Sequence, residues 1–139
     1  MKLKTAFATT LLCCSLSLPA LGDSLTINFK GISEGPGTIY LVMFDSKTNY
    51  DNSVEPSFSR SVKVDGETAM VTIADVKDGT YAIKSFLDSN NNRQMDTNLI
   101  GLPTEQYGFS NNAGRFGPAS FEDAAFKVEG DGNISIRMR

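Results

Sequence analysis

The 139-residue chain contains no histidine and no tryptophan, and its two cysteines, Cys13 and Cys14, adjoin each other near the amino terminus. Beyond residue 22 there is therefore no imidazole and no thiol. This absence excludes Ser-His and Cys-His nucleophilic systems, and ordinary zinc sites, from that part of the chain. It also excludes a disulfide there, although an oxidising compartment would permit one.

Charge is sparse and slightly acidic, with 13 basic and 16 acidic residues and a formal net charge of −3. Two of the basic residues are Lys2 and Lys4, whereas no acidic residue precedes Asp23, so the remainder of the chain is more acidic still. Acidic domains without a basic cluster are poor binders of nucleic acid and of anionic membranes. We therefore expect neither of these partners.

Only one long apolar run is present, over residues 6–18. Lys2 and Lys4 precede it, and Pro19, Ala20 and Gly22 follow it, which predicts a secretory signal peptide over residues 1–22. The run is shorter than the ~20 residues that a membrane span needs, so we expect no stable membrane insertion. The prediction is one monomeric domain over residues 23–139, located in the periplasm or outside the cell.

Hydrophobic patterning beyond the signal predicts short strands and no amphipathic helix. Leu25, Ile27 and Phe29 alternate with polar residues, which is typical of a half-buried strand. The predicted strands cover residues 25–30, 38–44, 59–64, 68–74, 80–87, 124–128 and 134–138, and residues 45–58 are predicted to be an irregular loop. The predicted fold is an all-β, antiparallel, seven-stranded sandwich, either prealbumin-like (transthyretin-like) or an immunoglobulin-like Greek key, with one long loop after the fifth strand.

Turn residues predict how these strands connect. Asp65-Gly66 is a hairpin signal between the third and fourth strands, and residues 130–132 predict a turn that pairs the last two. Tyr81 opens the fifth strand just after Gly79. It is either a tyrosine corner, with its hydroxyl bonded back to the backbone, or an ordinary core tyrosine.

A calcium-loop pattern follows the fifth strand, in residues 88–96. Oxygen-bearing side chains occupy positions 1, 3, 5 and 9, and the backbone carbonyl of position 7 is a further candidate ligand. These candidate Ca²⁺ ligands are Asp88, Asn90, Asn92, Gln94 and Asp96. With two carboxylates we expect weak binding, of ~10⁻⁴–10⁻³ M, which a third carboxylate would tighten. The candidates for that third carboxylate are Glu105, Asp123 and Asp45.

Two positions depart from the calcium pattern. Position 6, normally Gly, is Arg93, and position 12, normally Glu, is Leu99. The flanks are predicted as strand and coil, so the loop is not an EF-hand. The alternative interpretation is that Asp and Asn stand here because they favour turns.

The long segment over residues 101–121 combines aromatic, amide and charged side chains. It predicts a ligand surface for a protein or glycan partner. The candidate residues are Glu105, Tyr107, Ser110, Asn111, Asn112, Arg115 and Phe116. The alternative is a compact loop that buries its aromatic residues over the sandwich edge.

Four stretches carry a family resemblance: GTIYLVMFDS (37–46), DSNNNRQMD (88–96), GLPTEQYGFSNN (101–112) and FGPASFEDAAF (116–126). With them the chain resembles the bacterial secreted family known as domain of unknown function 2141. The resemblance implies an exported protein whose biochemical role is not assigned, and the family pattern has Gly where Arg93 stands. A looser similarity to transthyretin-like and collagen-adhesin B-type modules implies a prealbumin-like topology.

Three functions compete on the sequence. The first is an exported non-catalytic domain that calcium stabilises and that binds a surface partner or glycan. The alternative is a transthyretin-like carrier of a small ligand, which a roomy apolar pocket would favour. The third is a glycosidase built on the carboxylates of Glu105, Glu122 and Asp123.

Overall fold

The computed structural model describes residues 22–139, so the predicted signal peptide lies outside the described residues except for Gly22. The eight strands are β1 Ser24–Lys30, β2 Gly37–Phe44, β3 Phe58–Val64, β4 Thr68–Ala74, β5 Gly79–Asp88, β6 Tyr107–Phe109, β7 Phe126–Val128 and β8 Gly132–Arg137. The two α-helices are α1 Lys47–Asn52 and α2 Phe121–Ala124, and Ser110–Asn112 forms a 3₁₀ turn.

The strands form two sheets, as the all-β prediction requires. One sheet has the order β4-β1-β8, and the other has the order β3-β2-β5-β6. The short β7 pairs with the first residues of β5, and β6 pairs farther along the same strand. Strands β1 and β2 thus lie in different sheets, whereas in an immunoglobulin constant-type sandwich the first two strands share one.

Two details of the predicted sandwich are wrong. The described chain has eight strands rather than seven, because β6 lies inside the predicted long loop and its three residues are too few to reveal alternation. The sandwich is also not purely antiparallel. Strand β8 runs parallel to β1, with Leu25 opposite Gly132 and Lys30 opposite Arg137.

Both predicted hairpin pairings are wrong as well. Strand β3 pairs with β2, and β4 pairs with β1, so Asp65-Gly66 joins two sheets instead of two neighbours in one sheet. The turn after β7 does the same, since β7 pairs with β5 and β8 with β1. A tight turn reverses the chain, but the apolar faces of the strands decide whether they pair or stand on opposite sides of the core.

Short helices replace parts of the predicted loop. Ser46 caps α1 by accepting a hydrogen bond from the backbone N of Asn49, and Ser53 ends it in the left-handed conformation. Ser120 caps α2 in the same way, which delays the start of β7 to Phe126. Both helices are too short for a 3.6-residue period to show in the sequence.

The core lies between the two sheets. Alternation along β2 turns Ile39, Leu41 and Met43 inward, where they join Ile27 and Phe29 of β1, all of them 1% exposed or less. Strands β3, β2, β5, β6 and β7 form the five-stranded sheet. We call its core-facing side the inner face and the opposite side the outer face. A second, smaller apolar cluster covers part of the outer face. Its buried residues are Phe44, Tyr50, Ala82, Phe109, Ala119 and Ala124.

The tyrosine-corner interpretation of Tyr81 is confirmed. Its ring is 6% exposed, and its hydroxyl donates a hydrogen bond to the carbonyl O of Lys77 at 2.9 Å. The bond ties the connection that precedes β5 to the beginning of that strand. Burial raises the pKa of this hydroxyl, and the charges of Asp45 and Asp78 raise it further.

Candidate functional site

Strand β5 ends at Asp88, which opens the predicted calcium loop and is 1% exposed. Its carboxylate accepts two backbone hydrogen bonds, from Asn92 N at 3.1 Å and from Arg93 N at 2.8 Å. The chain therefore folds back over the first residue of the loop. This closure places positions 5 and 6 of the pattern directly against position 1.

Arg93 takes the backbone conformation that the missing glycine would take. Its φ is 62°, and that of Asn91 is 61°, both in the left-handed region. The residue at position 6 therefore departs from the calcium pattern in side chain but not in backbone path. A left-handed arginine costs free energy, which the two hydrogen bonds to Asp88 help to offset.

The other predicted ligands converge on Asp96. Asn92 Nδ2 lies 2.8 and 3.0 Å from its two carboxylate oxygens, and Asn90 Nδ2 donates to one of them. Gln94 N donates to Asn92 Oδ1 at 2.9 Å. The structure thus brings all five predicted residues into one small loop. Since a side-chain amide turns easily, the same loop can present oxygen in place of nitrogen.

Of the three proposed extra carboxylates, only Glu105 reaches this loop, and its role there is to brace it. Glu105 is 6% exposed, and its oxygens accept hydrogen bonds from Ser89 N at 3.0 Å, Ser89 Oγ at 3.3 Å and Asp96 N at 3.1 Å. It therefore joins the two ends of the loop.

Asp45 and Asp123 do not reach the loop. Thr38 of β2 stands opposite Asp88 and Phe44 opposite Ala82, so Asp45 lies at the far end of the sheet, about 20 Å along the strand. Asp123 is in α2, which packs near that same far end. Among residues 22–139, no group of three or more His, Cys, Asp or Glu side chains is placed to hold a metal ion.

A cavity of about 660 Å³ opens on the outer face of the five-stranded sheet. Outward residues of β2 and β5 form its floor, namely Val42, Lys84 and Phe86, and Tyr107 and Phe109 of β6 continue it. Two segments of irregular chain enclose this floor, residues 95–103 and residues 115–119. We call this cavity the outer pocket.

The walls of the outer pocket are apolar and partly exposed. Met95 and Leu102 are 37% and 56% exposed, and Phe116 is fully exposed at 101%. Beside them Leu99 and Ile100 are also exposed. The alternative in which the segment buries its aromatic residues therefore does not hold for Phe116. Exposed apolar residues gathered at one place mark an interaction surface.

Phe116 and Arg115 project from the wall because the chain turns sharply before them. Gly114 has a φ of 77°, and a Cβ there would lie 2.7 Å from the carbonyl O of Gly117. Only glycine fits this turn without strain. The turn holds the two side chains at the opening of the pocket.

Residues 27–137 match the family described as "uncharacterized protein conserved in bacteria" (DUF2141). The chain is a member of the DUF2141 family. The match spans the outer pocket and the loop of residues 88–96, which we call the Asp/Asn loop, and it confirms the resemblance seen in the sequence. No curated protein and no solved structure matches the chain.

The predicted ligand surface of this DUF2141 protein divides into two groups. Tyr107, Arg115 and Phe116 line the outer pocket. The other four residues serve the fold. Ser110 is fully buried and accepts a hydrogen bond from Ile83 N, Asn111 donates to the carbonyl O of Ala125, Asn112 accepts from Arg137 N, and Glu105 braces the loop.

The sequence did not indicate several residues that line the pocket, chiefly Val42, Lys84, Phe86, Met95 and Leu102. Alternation along β2 and β5 contained the signal for the first three, since they occupy the positions that do not face the core. For Val42 the signal was hidden, because residues 38–44 of β2 are apolar on both faces. Met95 and Leu102 belong to irregular chain, where no periodicity indicates which way a side chain points.

Lys84 lines the outer pocket, and its ammonium group is bonded to Tyr50 of α1 and to Ser53. Lys84 Nζ donates to the carbonyl O of Tyr50 at 2.6 Å and to Ser53 Oγ at 2.9 Å, and lies 4.2 Å from the centre of the Tyr50 ring. Burial lowers the pKa of Lys84, while the charge of Asp51 opposes this shift. Burial also raises the pKa of Tyr50 to about 12, and its hydroxyl donates to Ala119 O at 3.0 Å.

No helix in residues 22–139 combines the length and the apolar character needed to cross a membrane.

Proposed function

We propose that this DUF2141 protein is an exported, non-catalytic domain that binds a small, largely apolar molecule in the outer pocket. The observation that carries the proposal is the pocket itself. Its volume of about 660 Å³ lies in the range of small-molecule sites, and aromatic and aliphatic side chains form most of its lining. The residues that line the pocket are not those of the buried core cluster between the sheets, so the pocket is a separate feature of the outer face.

The pocket favours the small-ligand alternative over a glycan surface. A glycan site needs amides and hydroxyls that are available to sugar hydroxyls, but Ser110, Asn111 and Asn112 are bonded within the fold. A glycosidase also lacks support, because Glu105 braces the Asp/Asn loop whereas Glu122 pairs with Lys47 near α1. Retaining and inverting glycosidases both need two carboxyl groups that face one substrate bond.

We include a calcium ion in this proposal, as a stabiliser of the pocket wall. Asp88, Asn90, Asn92 and Asp96, with the carbonyl of Gln94, would hold it. The left-handed backbone at Arg93 supports this assignment. Asp96 lies between Met95 and Thr97, which both line the outer pocket, so an ion in the loop would steady one side of the cavity.

For the fold of the domain we propose a prealbumin-like sandwich. The separation of β1 and β2 into different sheets, and the parallel pairing of β1 with β8, argue against the immunoglobulin constant-type alternative.

The ligand proposal is tested by titrating the protein with N-phenylnaphthylamine, a neutral apolar probe whose fluorescence rises on burial. We expect saturable binding that Thr97→Trp abolishes, since the larger ring would fill the cavity from its wall. Met70→Trp is the matched control, because Met70 is exposed on β4 in the other sheet. An absence of saturable binding, or equal binding by the Thr97→Trp variant, would contradict the proposal.

The calcium proposal is tested by thermal unfolding with calcium, with magnesium and with chelator. At about 10 mM calcium and a Kd of about 1 mM, we expect stabilisation of about 1.4 kcal/mol. Asp88→Ala should lose this calcium-dependent increment, and Asp65→Ala, in an exposed turn, should retain it. A calcium response that survives in the Asp88 variant would refute the assignment.

Export is tested by expressing the full chain in a bacterium and measuring the intact mass of the product outside the cytoplasm. We expect a mature form that begins at Asp23. A product that stays in the cytoplasm with residues 1–22 attached would contradict the signal-peptide prediction.

A further inference from the structure

The charges that line the outer pocket are all of one sign. Lys84 and Arg115 line it, and no aspartate or glutamate among the residues that the structure describes does so. The chain as a whole has more acidic than basic residues, 16 against 13. A cavity with only positive charges in an acidic protein therefore stands out from the rest of its surface.

Lys84 has no carboxylate partner of its own. Within residues 22–139, ion pairs join only Lys47 to Asp51 and to Glu122, each with a shortest distance of 3.1 Å. Asp51 favours the charge on Lys84 but is bonded to Lys47. An ammonium group has three donors, and Lys84 uses two of them, on Tyr50 O and Ser53 Oγ. The third donor has no hydrogen-bond partner among the described residues, and the Nζ atom lies 4.2 Å from the centre of the Tyr50 ring.

Arg115 is exposed at the opening and enters no ion pair in the described part of the chain. The turn at Gly114 directs it there beside Phe116. A guanidinium group offers a planar fork of donors that matches the oxygens of a carboxylate, sulfate or phosphate. An apolar wall and a free guanidinium thus meet at one edge of the same cavity.

We propose that the ligand of the outer pocket is an amphipathic anion. Its apolar body would contact Phe86, Leu102, Tyr107 and Phe116, and its anionic group would bind Arg115 at the opening while Lys84 attracts it from the floor. This inference rests on the proposed function and adds the chemical class of the ligand. Lys84 supports it further because burial destabilises its charged form, and a bound anion would offset that cost.

Three probes with the same ten-carbon chain separate charge from apolar contact. Decanoate, decanol and decyltrimethylammonium are titrated into the protein below the concentrations at which they self-associate, with binding followed by calorimetry. We expect decanoate to bind about tenfold more tightly than decanol, and the cation to bind most weakly. Added salt should narrow the gap between decanoate and decanol, because the group that binds the anion is exposed.

Arg115→Gln should remove most of the preference for decanoate and leave the affinity for decanol unchanged. Arg93→Gln is the matched control, since Arg93 is exposed in the Asp/Asn loop and does not line the pocket. Lys84→Met should also reduce the preference. If that variant fails to fold, because Lys84 also holds Tyr50 and Ser53, Arg115→Glu provides the second test.

The outcomes separate this inference from the proposed function. Equal affinity for decanoate and decanol, with no effect of Arg115→Gln, would overturn the anion inference and leave an apolar-ligand site. Tightest binding of the cation would overturn it too. Failure of all three probes to bind would overturn both the inference and the proposed function.

Discussion

The two faces of the five-stranded sheet are built from the same strands but differ in how they are covered. On the inner face, Ile39, Leu41 and Ile83 are 1% exposed or less, because a second sheet packs over them. On the outer face, Val42 and Phe86 are only half-buried. A covering sheet excludes water along its whole length, whereas two short helices and two irregular segments leave a cavity.

This difference in covering indicates that the two faces contribute differently to the protein. The inner face supplies most of the apolar burial that stabilises the fold, and the outer face leaves apolar surface exposed, where we propose that a ligand binds. Two neighbours on β5 illustrate this contrast. Ile83 is fully buried in the core, whereas Lys84 lines the outer pocket. Substitutions on the two faces should therefore affect different properties of the protein.

The largest expected effect is on the inner face. Ile83→Ala removes a fully buried side chain and should lower the free energy of unfolding by about 2 to 5 kcal/mol. Urea denaturation measures this loss. Decanoate affinity, measured where the variant remains folded, should not change. If affinity fell together with stability, the two faces would be coupled.

The next effect concerns the brace between the two ends of the Asp/Asn loop. Glu105→Gln places an amide N–H against a backbone N–H of Ser89 or Asp96 and should cost about 1 to 3 kcal/mol of unfolding free energy. The measurement is made in chelator, so that no metal contributes. Glu122→Gln, at an exposed ion pair, should change stability far less. Equal effects of the two substitutions would show that Glu105 is not a brace.

A smaller effect is expected at the tyrosine corner. Tyr81→Phe removes the hydrogen bond to Lys77 O and should cost about 1 kcal/mol. Chemical denaturation detects a change of this size. Tyr40→Phe is the control, because Tyr40 is half-buried on the outer face, where its ring stacks on Phe86. An unchanged denaturation midpoint in the Tyr81 variant would mean that only the ring contributes.

The smallest effect on stability is expected at the opening of the outer pocket. Phe116 is fully exposed, so Phe116→Ala should alter the free energy of unfolding by no more than about 0.5 kcal/mol. The same change should weaken decanoate binding about tenfold, because it removes an aromatic contact. A Phe116→Ala variant with lower stability and unchanged decanoate binding would contradict the proposed difference between the two faces.

The predictions that succeeded rest on short-range regularities. Alternation located the strands around Ile27 and Ile73, and the Gly79–Tyr81 turn indicated the tyrosine corner. The spacing from Asp88 to Asp96 indicated a loop, in which Asn92 is bonded to Asp96, while calcium binding there stays a prediction. Each of these patterns lies within about ten residues, where chain geometry alone limits the outcome.

The predictions that failed depend on partners distant in sequence. The turn at Asp65-Gly66 was expected to make a hairpin, but β3 and β4 found other partners in β2 and β1. Asn111 and Asn112, which the sequence assigns to a ligand surface, use part of their hydrogen-bonding capacity on Ala125 and Arg137. A side chain's type states what it can bind, and only its neighbours decide whether it is free to do so.

The sequence by itself determined the β class of this DUF2141 protein and the residues of the Asp/Asn loop, because period-two alternation and loop spacing are local properties. It also determined the DUF2141 membership, which rests on four stretches of the sequence. The tertiary structure alone decided which strands share a sheet, which face is sealed, and that Lys84 and Arg115 line one apolar cavity. Lys84 and Arg115 are 31 residues apart in the chain. They meet in the outer pocket because strand pairing and the turn at Gly114 join distant segments, and no local pattern records such a meeting.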